Sequence, residues 1–404
     1  MTINQRLTIR VALVMSVIVA LTMASTRHQA DTGNCGGQSI MLPFTDVMGN
    51  VFFCQIAEAY FLALTNGTSA TTYGPSGLTP REQVAAFVTR THDSALRRGS
   101  RRAALDQWST PTSISDSATT TVAQFPGGVR SDGADLWVAS GSSVSMVSRV
   151  RASDGKLLET WTGATQAALI LIARGRVFVT GGTNPNGNLY VIDPRQPAGQ
   201  VTVLSSSLGA NPLGLASDGV FIWTANFGFP AKGFPASVSR VNPDTGAVVS
   251  FTTGFTNPIG CIYDGSSIWV TDAGAGKLFR LDTSGAIAQA VNVGLFPLQP
   301  IFDGTNIWVP NRDSGTVTVV RASTGTVLAN LNGNGLSGPG SAAFDGQRVL
   351  ITNLSGNSVS LWNASDLTPL GVVSTGAGSN PSGACSDGVN FWIVLQGTDK
   401  LARL

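Results

Sequence analysis

Four polar side chains occupy one position of a repeating pattern: Asn226, Asp272, Asn311 and Asn353 each follow a turn glycine by seven residues. Those glycines are Gly219, Gly265, Gly304 and Gly346. Three amides and a carboxylate in an arc, with Arg312 beside Asn311, mix donors and acceptors in a way that suits a sugar, a peptide or a metal ion. The same residue types also end strands and satisfy loop backbone, so the pattern fits turn chemistry as well. Asn211, Asn257 and Asn380 lie in neighbouring loops, and the long segment Phe227–Pro235 leaves the strand end at Asn226. Long loops of that kind often carry binding residues.

Proton-transfer chemistry has few candidates. The two histidines, His28 and His92, precede the repeats, and within the repeats the sole glutamate is Glu159. General acid–base catalysis near neutral pH draws mostly on His or on a tuned Glu, Asp or Lys. The aspartates of the repeats sit in hairpin turns, where a carboxylate bonds nearby backbone. No Cys/His spacing points to zinc. The residues therefore predict a non-enzymatic binding or scaffold protein with no cofactor, no metal and no catalytic group. The rival expectation is a metal-dependent hydrolase or lyase with the ion held by Asp272 and the neighbouring asparagines. A purely structural envelope component is a third. Basic and acidic residues number 25 and 23, which gives no reason to expect nucleic acid.

The elements that must position these side chains repeat seven times. Asp-Gly or a close variant recurs at Asp132-Gly133, Arg174-Gly175, Asp218-Gly219, Asp264-Gly265, Asp303-Gly304, Asp345-Gly346 and Asp387-Gly388. Glycine suits such hairpins because it adopts positive φ without steric cost. Each turn leads into an apolar strand with Trp137, Phe178, Trp223, Trp269, Trp308, Leu350 or Trp392 at a fixed place. A proline precedes the Asp by six residues in six units: Pro126, Pro212, Pro258, Pro297, Pro339 and Pro381. Four short strands at a period near 42 predict one propeller blade per unit. The fold class is mainly β, a seven-bladed propeller over residues 119–404. The last unit stops after three strands, so Thr119–Phe125 is expected to supply its fourth and close the ring.

The Asp-Gly…Ile-Trp-Val pattern and the Asn-Pro-x-Gly loops at 211–214, 257–260 and 380–383 resemble the YVTN/NHL-like propellers of exported bacterial proteins. The resemblance implies a fold more than a function. The enzymatic rival resembles the gluconolactonase and streptogramin-lyase propellers.

Residues 1–30 read as an export signal: Arg6 and Arg10, then the apolar run Val11–Met23, too short to span a bilayer. Cleavage after Ala24 or Ala30 and an uncleaved anchor both fit; no other stretch is expected to cross a membrane. Export permits disulfides. Cys35 and Cys54 are the expected pair, Cys261 and Cys385 are expected as buried thiols, and four reduced cysteines are the alternative. In residues 31–108, Phe52–Leu64 and Gln83–Arg97 have helical spacing. A Ser/Thr-rich stretch, residues 109–118, reads as a mobile linker. The run Pro43-Phe44-Thr45-Asp46-Val47 and the later Leu78-Thr79-Pro80-Arg81-Glu82 resemble one S-layer homology repeat. That resemblance implies a helical domain binding cell-wall polysaccharide through Thr79, Arg81 and Glu82. A capping box at Thr79 and Glu82 explains the same residues. The expected place of action is outside the cytoplasm, at the cell envelope, with a protein or carbohydrate ligand on the propeller face.

Overall fold

The computed structural model describes residues 30–35, 38–61, 65–79, 84, 87–88, 111–115, 118–141, 145–182 and 185–404. They fall into two compact units that divide between Arg101 and Arg102.

The larger unit is a propeller of seven four-stranded antiparallel sheets. Blade 3 shows the plan: Pro212–Ser217, Ile222–Asn226, Ser237–Val241 and Val248–Phe251 follow one another outward. Blade 7 contributes Pro381–Ser386, Phe391–Leu395 and Lys400–Arg403, and its fourth strand is Thr119–Thr121, paired Thr119↔Ala402 and Thr121↔Lys400. The closing segment is thus shorter than the predicted Thr119–Phe125. Each of the seven interfaces between blades holds one cluster of buried apolar side chains. Both faces of every sheet are covered, which is why strands such as Ile268–Asp272 are buried at every position.

The Asp-Gly turns are tied to the aromatics that follow them. In Asp132, Asp218, Asp264, Asp303 and Asp387, one carboxylate oxygen accepts backbone N–H groups of the turn. The other accepts the indole N–H of the tryptophan five residues on, at 2.6–2.9 Å. Aspartate and tryptophan are therefore one device, not two separate signals. Blade 2 lacks both, with Arg174 and Phe178 in their places. Blade 6 keeps Asp345 but has Leu350, and Arg348 Nε takes the free oxygen at 2.8 Å. The turn glycines all have positive φ.

The predicted linker is partly built into the propeller. Ser113 bridges Ser374 in parallel on the outer edge of blade 6, and Ile114 packs against the core between blades 6 and 7. Two backbone bonds hold it, Ile114 N–H to Ser374 O at 3.0 Å and Ser374 N–H to Thr112 O at 2.9 Å. Residues 111–115 cover an edge strand, so they are not free chain.

The smaller unit differs from the expected helical domain. It opens with a β-hairpin, Thr32–Cys35 paired with Gln38–Met41, followed by one short helix, Phe53–Phe61. Of the predicted second helix, only Val84, Phe87 and Val88 are described, and they are helical. Phe44 is fully buried between Tyr60 and Tyr73. Asp31 and Asp46 accept backbone N–H groups of Val47 and Met48, and of Tyr73 and Gly74. These bonds give the Pro-Phe-Thr-Asp-Val run a structural role within a mixed α/β unit. Among the described residues no helix is long and apolar enough to cross a membrane.

Candidate functional site

The first strands of the blades begin with an irregularity. The pairing of first and second strands slips directly after Pro126, Pro212, Pro258, Pro339 and Pro381. Proline cannot continue the ladder, and the resulting bulge re-aims the residue that follows. Those residues are Gly127, Leu213, Ile259, Gly340 and Ser382, and all five line one cavity. Ala168 and Leu298 line it from blades 2 and 5. A cavity walled by first-strand residues of five blades and by the residues just before the first strands of blades 2 and 5 is the central channel of the ring; its volume is about 570 Å³.

Close approach of neighbouring first strands makes this wall continuous. A Cβ on Gly214 would collide with backbone of Ile259 and Cys261, and one on Gly383 with backbone of Gly127. The second pair joins blade 7 to blade 1, where Ser382 Oγ also donates to the carbonyl of Gly127 at 3.3 Å. Blades 2, 4 and 6 add a hydroxyl bridge. Thr180, Thr271 and Thr352 donate to the carbonyls of Leu213, Leu298 and Ser382 in the next blade, at 2.8, 2.8 and 2.9 Å.

The channel is apolar along blades 2 to 5, at Ala168, Leu213, Ile259 and Leu298; blades 6, 7 and 1 contribute the small residues Gly340, Ser382 and Gly127 together with the apolar Leu354 and Phe125. Gln166, Gln299 and Gln396 add amides. Among the described residues one charged side chain lines it, Arg130 of the blade 1 first strand. Arg130 is half-buried, and its Nη1 donates to the carbonyls of Val129 at 2.9 Å and Ala384 at 3.4 Å. No ion pair with a carboxylate forms among the described residues. Burial lowers its pKa from the ordinary guanidinium value, against an opposing influence of the Cys385 thiol.

The four residues singled out by spacing are placed differently. Asn226, Asp272, Asn311 and Asn353 do occupy equivalent strand ends, but all four are fully buried and none lines the channel. Asn226 donates to Ser237 and Ser239, Asn311 to Thr316 and Thr318, and Asn353 to Ser358 and Ser360, so each amide fastens its second strand to the third. Asp272 accepts the backbone N–H of Thr256, Asn257 and Ala275 at 2.7, 3.0 and 3.0 Å. That carboxylate orders the proline loop and is poorly placed for a metal, because both oxygens already accept backbone N–H groups and no solvent reaches them. Among the described residues, no three His, Cys, Asp or Glu side chains gather at one place.

The remaining candidates are dispersed. Arg312 lies outside the channel, paired with Asp313 at 2.7 Å and stacked 3.7 Å over the Phe296 ring. The loop after Asn226 folds on itself through a Phe229–Phe234 bridge and a turn of 3₁₀ helix at Pro230–Lys232. Glu159 is spent on Arg149 at 3.3 Å. Thr79 is exposed, and Arg81 and Glu82 lie outside the described residues. Cys35 and Cys54 form a disulfide with Cα atoms 5.5 Å apart. Cys261 and Cys385 are free and buried; burial pushes both thiols up, Cys385 to about 12.

Comparison with known proteins bears on the fold alone. No protein-family model matches the sequence, and no curated protein matches it. A streptogramin B lyase structure superposes with a TM-score of 0.57 at 14% identity, covering 72% of this chain and 99% of that one. Virginiamycin B lyase from Staphylococcus aureus gives 0.59 at 16%, over 70% and 97% of the two chains. Kuenenia stuttgartiensis hydrazine synthase gives 0.58 at 15%, over 73% and 97%. What this chain shares with all three is the propeller scaffold.

Proposed function

We propose that this chain is an exported binding protein. Its propeller takes a small ligand in the central channel, and its N-terminal unit holds it at the cell envelope. The observation that carries the reading is the channel wall: seven blades contribute apolar, small, hydroxyl and amide groups around one arginine. Such a wall offers shape, apolar contact and a few hydrogen bonds, the usual means of holding a small molecule. Arginine stays protonated across the physiological range, so it fixes a ligand without exchanging protons with it. The signal-like residues 1–30 and the Cys35–Cys54 bond both favour a compartment outside the cytoplasm. The likeness to lyase propellers supports a lyase reading only through the scaffold, and the buried Asp272 carboxylate, with both oxygens bonded to backbone N–H groups, weighs against a metal centre there.

Envelope attachment is tested by sedimenting the mature chain, residues 31–404, with purified envelope material. The expected result is that the wild type pellets and the triple variant Thr79→Ala/Arg81→Ala/Glu82→Ala stays in solution. Pelleting of both, or of neither, removes the wall-binding role of that motif.

A further inference from the structure

Seven side chains face the second-strand aromatic, or Leu350, across the first pair of strands in their blades. Six are Leu, Ala, Ile or Cys, and the seventh is Arg130, opposite Trp137. The other six blades fill this position with apolar groups, and blade 1 departs from them with an arginine that lines the channel.

Arg130 is not placed there to balance a charge. Asp132 is two residues away, but its two oxygens are taken by the backbone N–H of Ala134 and Asp135 and the indole of Trp137, at 2.9, 2.7 and 2.9 Å. Among the described residues, no acidic side chain lines the channel. A guanidinium has five N–H donors. The two carbonyls of Val129 and Ala384 engage Nη1 alone, which leaves the edge formed by Nε and Nη2 for a planar acceptor. A half-buried cation without a counter-charge costs stability that a bound anion would restore.

We infer that the channel binds a small amphipathic carboxylate. Its charged head pairs with Arg130, and its apolar body lies against Leu213, Ile259 and Leu298. The inference rests on the binding reading above and deepens it by naming the ligand's chemistry. Arg–carboxylate pairing is bidentate and directional, so the head is fixed. The apolar side chains Leu213, Ile259 and Leu298 on blades 3 to 5 suit a hydrocarbon or aromatic body, and Leu354 and Phe125 add apolar surface from blades 6 and 1. A volume near 570 Å³ fits a molecule of drug size.

Calorimetric titration of the mature chain separates the two parts of this ligand. The probes are octanoate, with head and body; octanol, with the same body and no charge; and acetate, with the head alone. Octanoate is expected to bind saturably, and at least about tenfold more tightly than octanol or acetate, a gap of about 1.4 kcal/mol. In Arg130→Met, octanoate is expected to fall to the level of octanol while octanol is unchanged. Should that variant not fold, Leu213→Glu sets a carboxylate in the channel wall with Arg130 intact, and octanoate is expected to weaken more than octanol. Equal binding of octanoate and octanol to the wild type overturns the anion inference and leaves an apolar binding channel, so the reading above survives. The same holds if octanoate binds folded Arg130→Met as tightly as the wild type. Binding of none of the three probes to a folded wild type that still pellets with envelope also overturns the inference. Saturable turnover of a substrate overturns the reading of a non-enzymatic protein, whatever octanoate does.

Discussion

In blade 1, Asp132 and Arg130 stand two residues apart and have opposite fates. The Asp132 carboxylate is consumed by its own hairpin, with two backbone N–H groups on one oxygen and the Trp137 indole on the other. Arg130, on the channel wall, keeps most of its donors and has no carboxylate partner among the described residues. The first arrangement recurs in five blades and is blind to what the protein binds. On the channel wall the second occurs once among the described residues. In a repeat fold, groups that obey the repeat serve folding, and those that break it are the place to look for function.

Breaking the turn device should produce the largest effects. Trp137 is fully buried and forms one wall of the core between blades 1 and 2. Trp137→Ala is expected to cost about 3–5 kcal/mol, in the range of aromatic-to-alanine core substitutions. Asp132→Ala removes less mass but leaves the indole N–H and two turn amides without acceptors, and about 1–3 kcal/mol is expected. Both are read from urea midpoints. If Asp132→Ala costs nothing, the carboxylate and indole do not form a unit and the comparison collapses from that side.

The same device predicts acid sensitivity. In Asp264, burial raises the carboxyl pKa, but hydrogen bonds from the Trp269 indole, the Ser267 and Ser266 backbone and the Ser266 hydroxyl outweigh it, and the net shift is downward. A carboxyl depressed in the folded state contributes stability that is present above its unfolded value, about 3.9. That contribution is lost as pH falls through the lower folded value. Stability should therefore drop below about pH 4. Asp264→Asn should lower stability at pH 7 and flatten the decline on acidification. A variant whose pH profile runs parallel to the wild type would show that Asp264 has no part in it.

How far these features were legible in the sequence follows from the same contrast. Blade number, ring closure and turn geometry could be read because glycine, proline and tryptophan recur in register, and local sterics dictate each of them. The channel was not. Much of its lining comes from the position after each proline, which holds Gly, Leu, Ile, Leu, Gly and Ser in blades 1, 3, 4, 5, 6 and 7 and carries no shared chemistry to notice. Asn226, Asp272, Asn311 and Asn353 drew attention instead because they are alike and share a strand end, yet their tasks are structural: the three asparagines tie the second strand to the third, and Asp272 orders the proline loop. A search for the odd residue in the register, in place of the repeated one, would have found Arg130. The N-terminal unit was harder for another reason: its hairpin strands are four residues each, too short for alternation to declare them.

The smallest expected change in stability is also the one that most sharpens the contrast. Arg130→Met removes a half-buried cation that has no ionic partner and replaces it with a flexible apolar side chain facing the Trp137 register position. Replacing a desolvated charge by an apolar residue of similar length is commonly neutral or stabilising, by up to about 1–4 kcal/mol. The two carbonyls it releases, of Val129 and Ala384, each lose one donor, which offsets part of the gain. The net expectation is a urea midpoint equal to or slightly above that of the wild type, alongside the loss for Asp132→Ala two residues away. Methionine in place of a functional arginine would thus make a protein no less stable but less able to hold an anion. A variant destabilised as much as Asp132→Ala would mean that Arg130 belongs to the scaffold after all, and the channel would lose its one distinguishing charge.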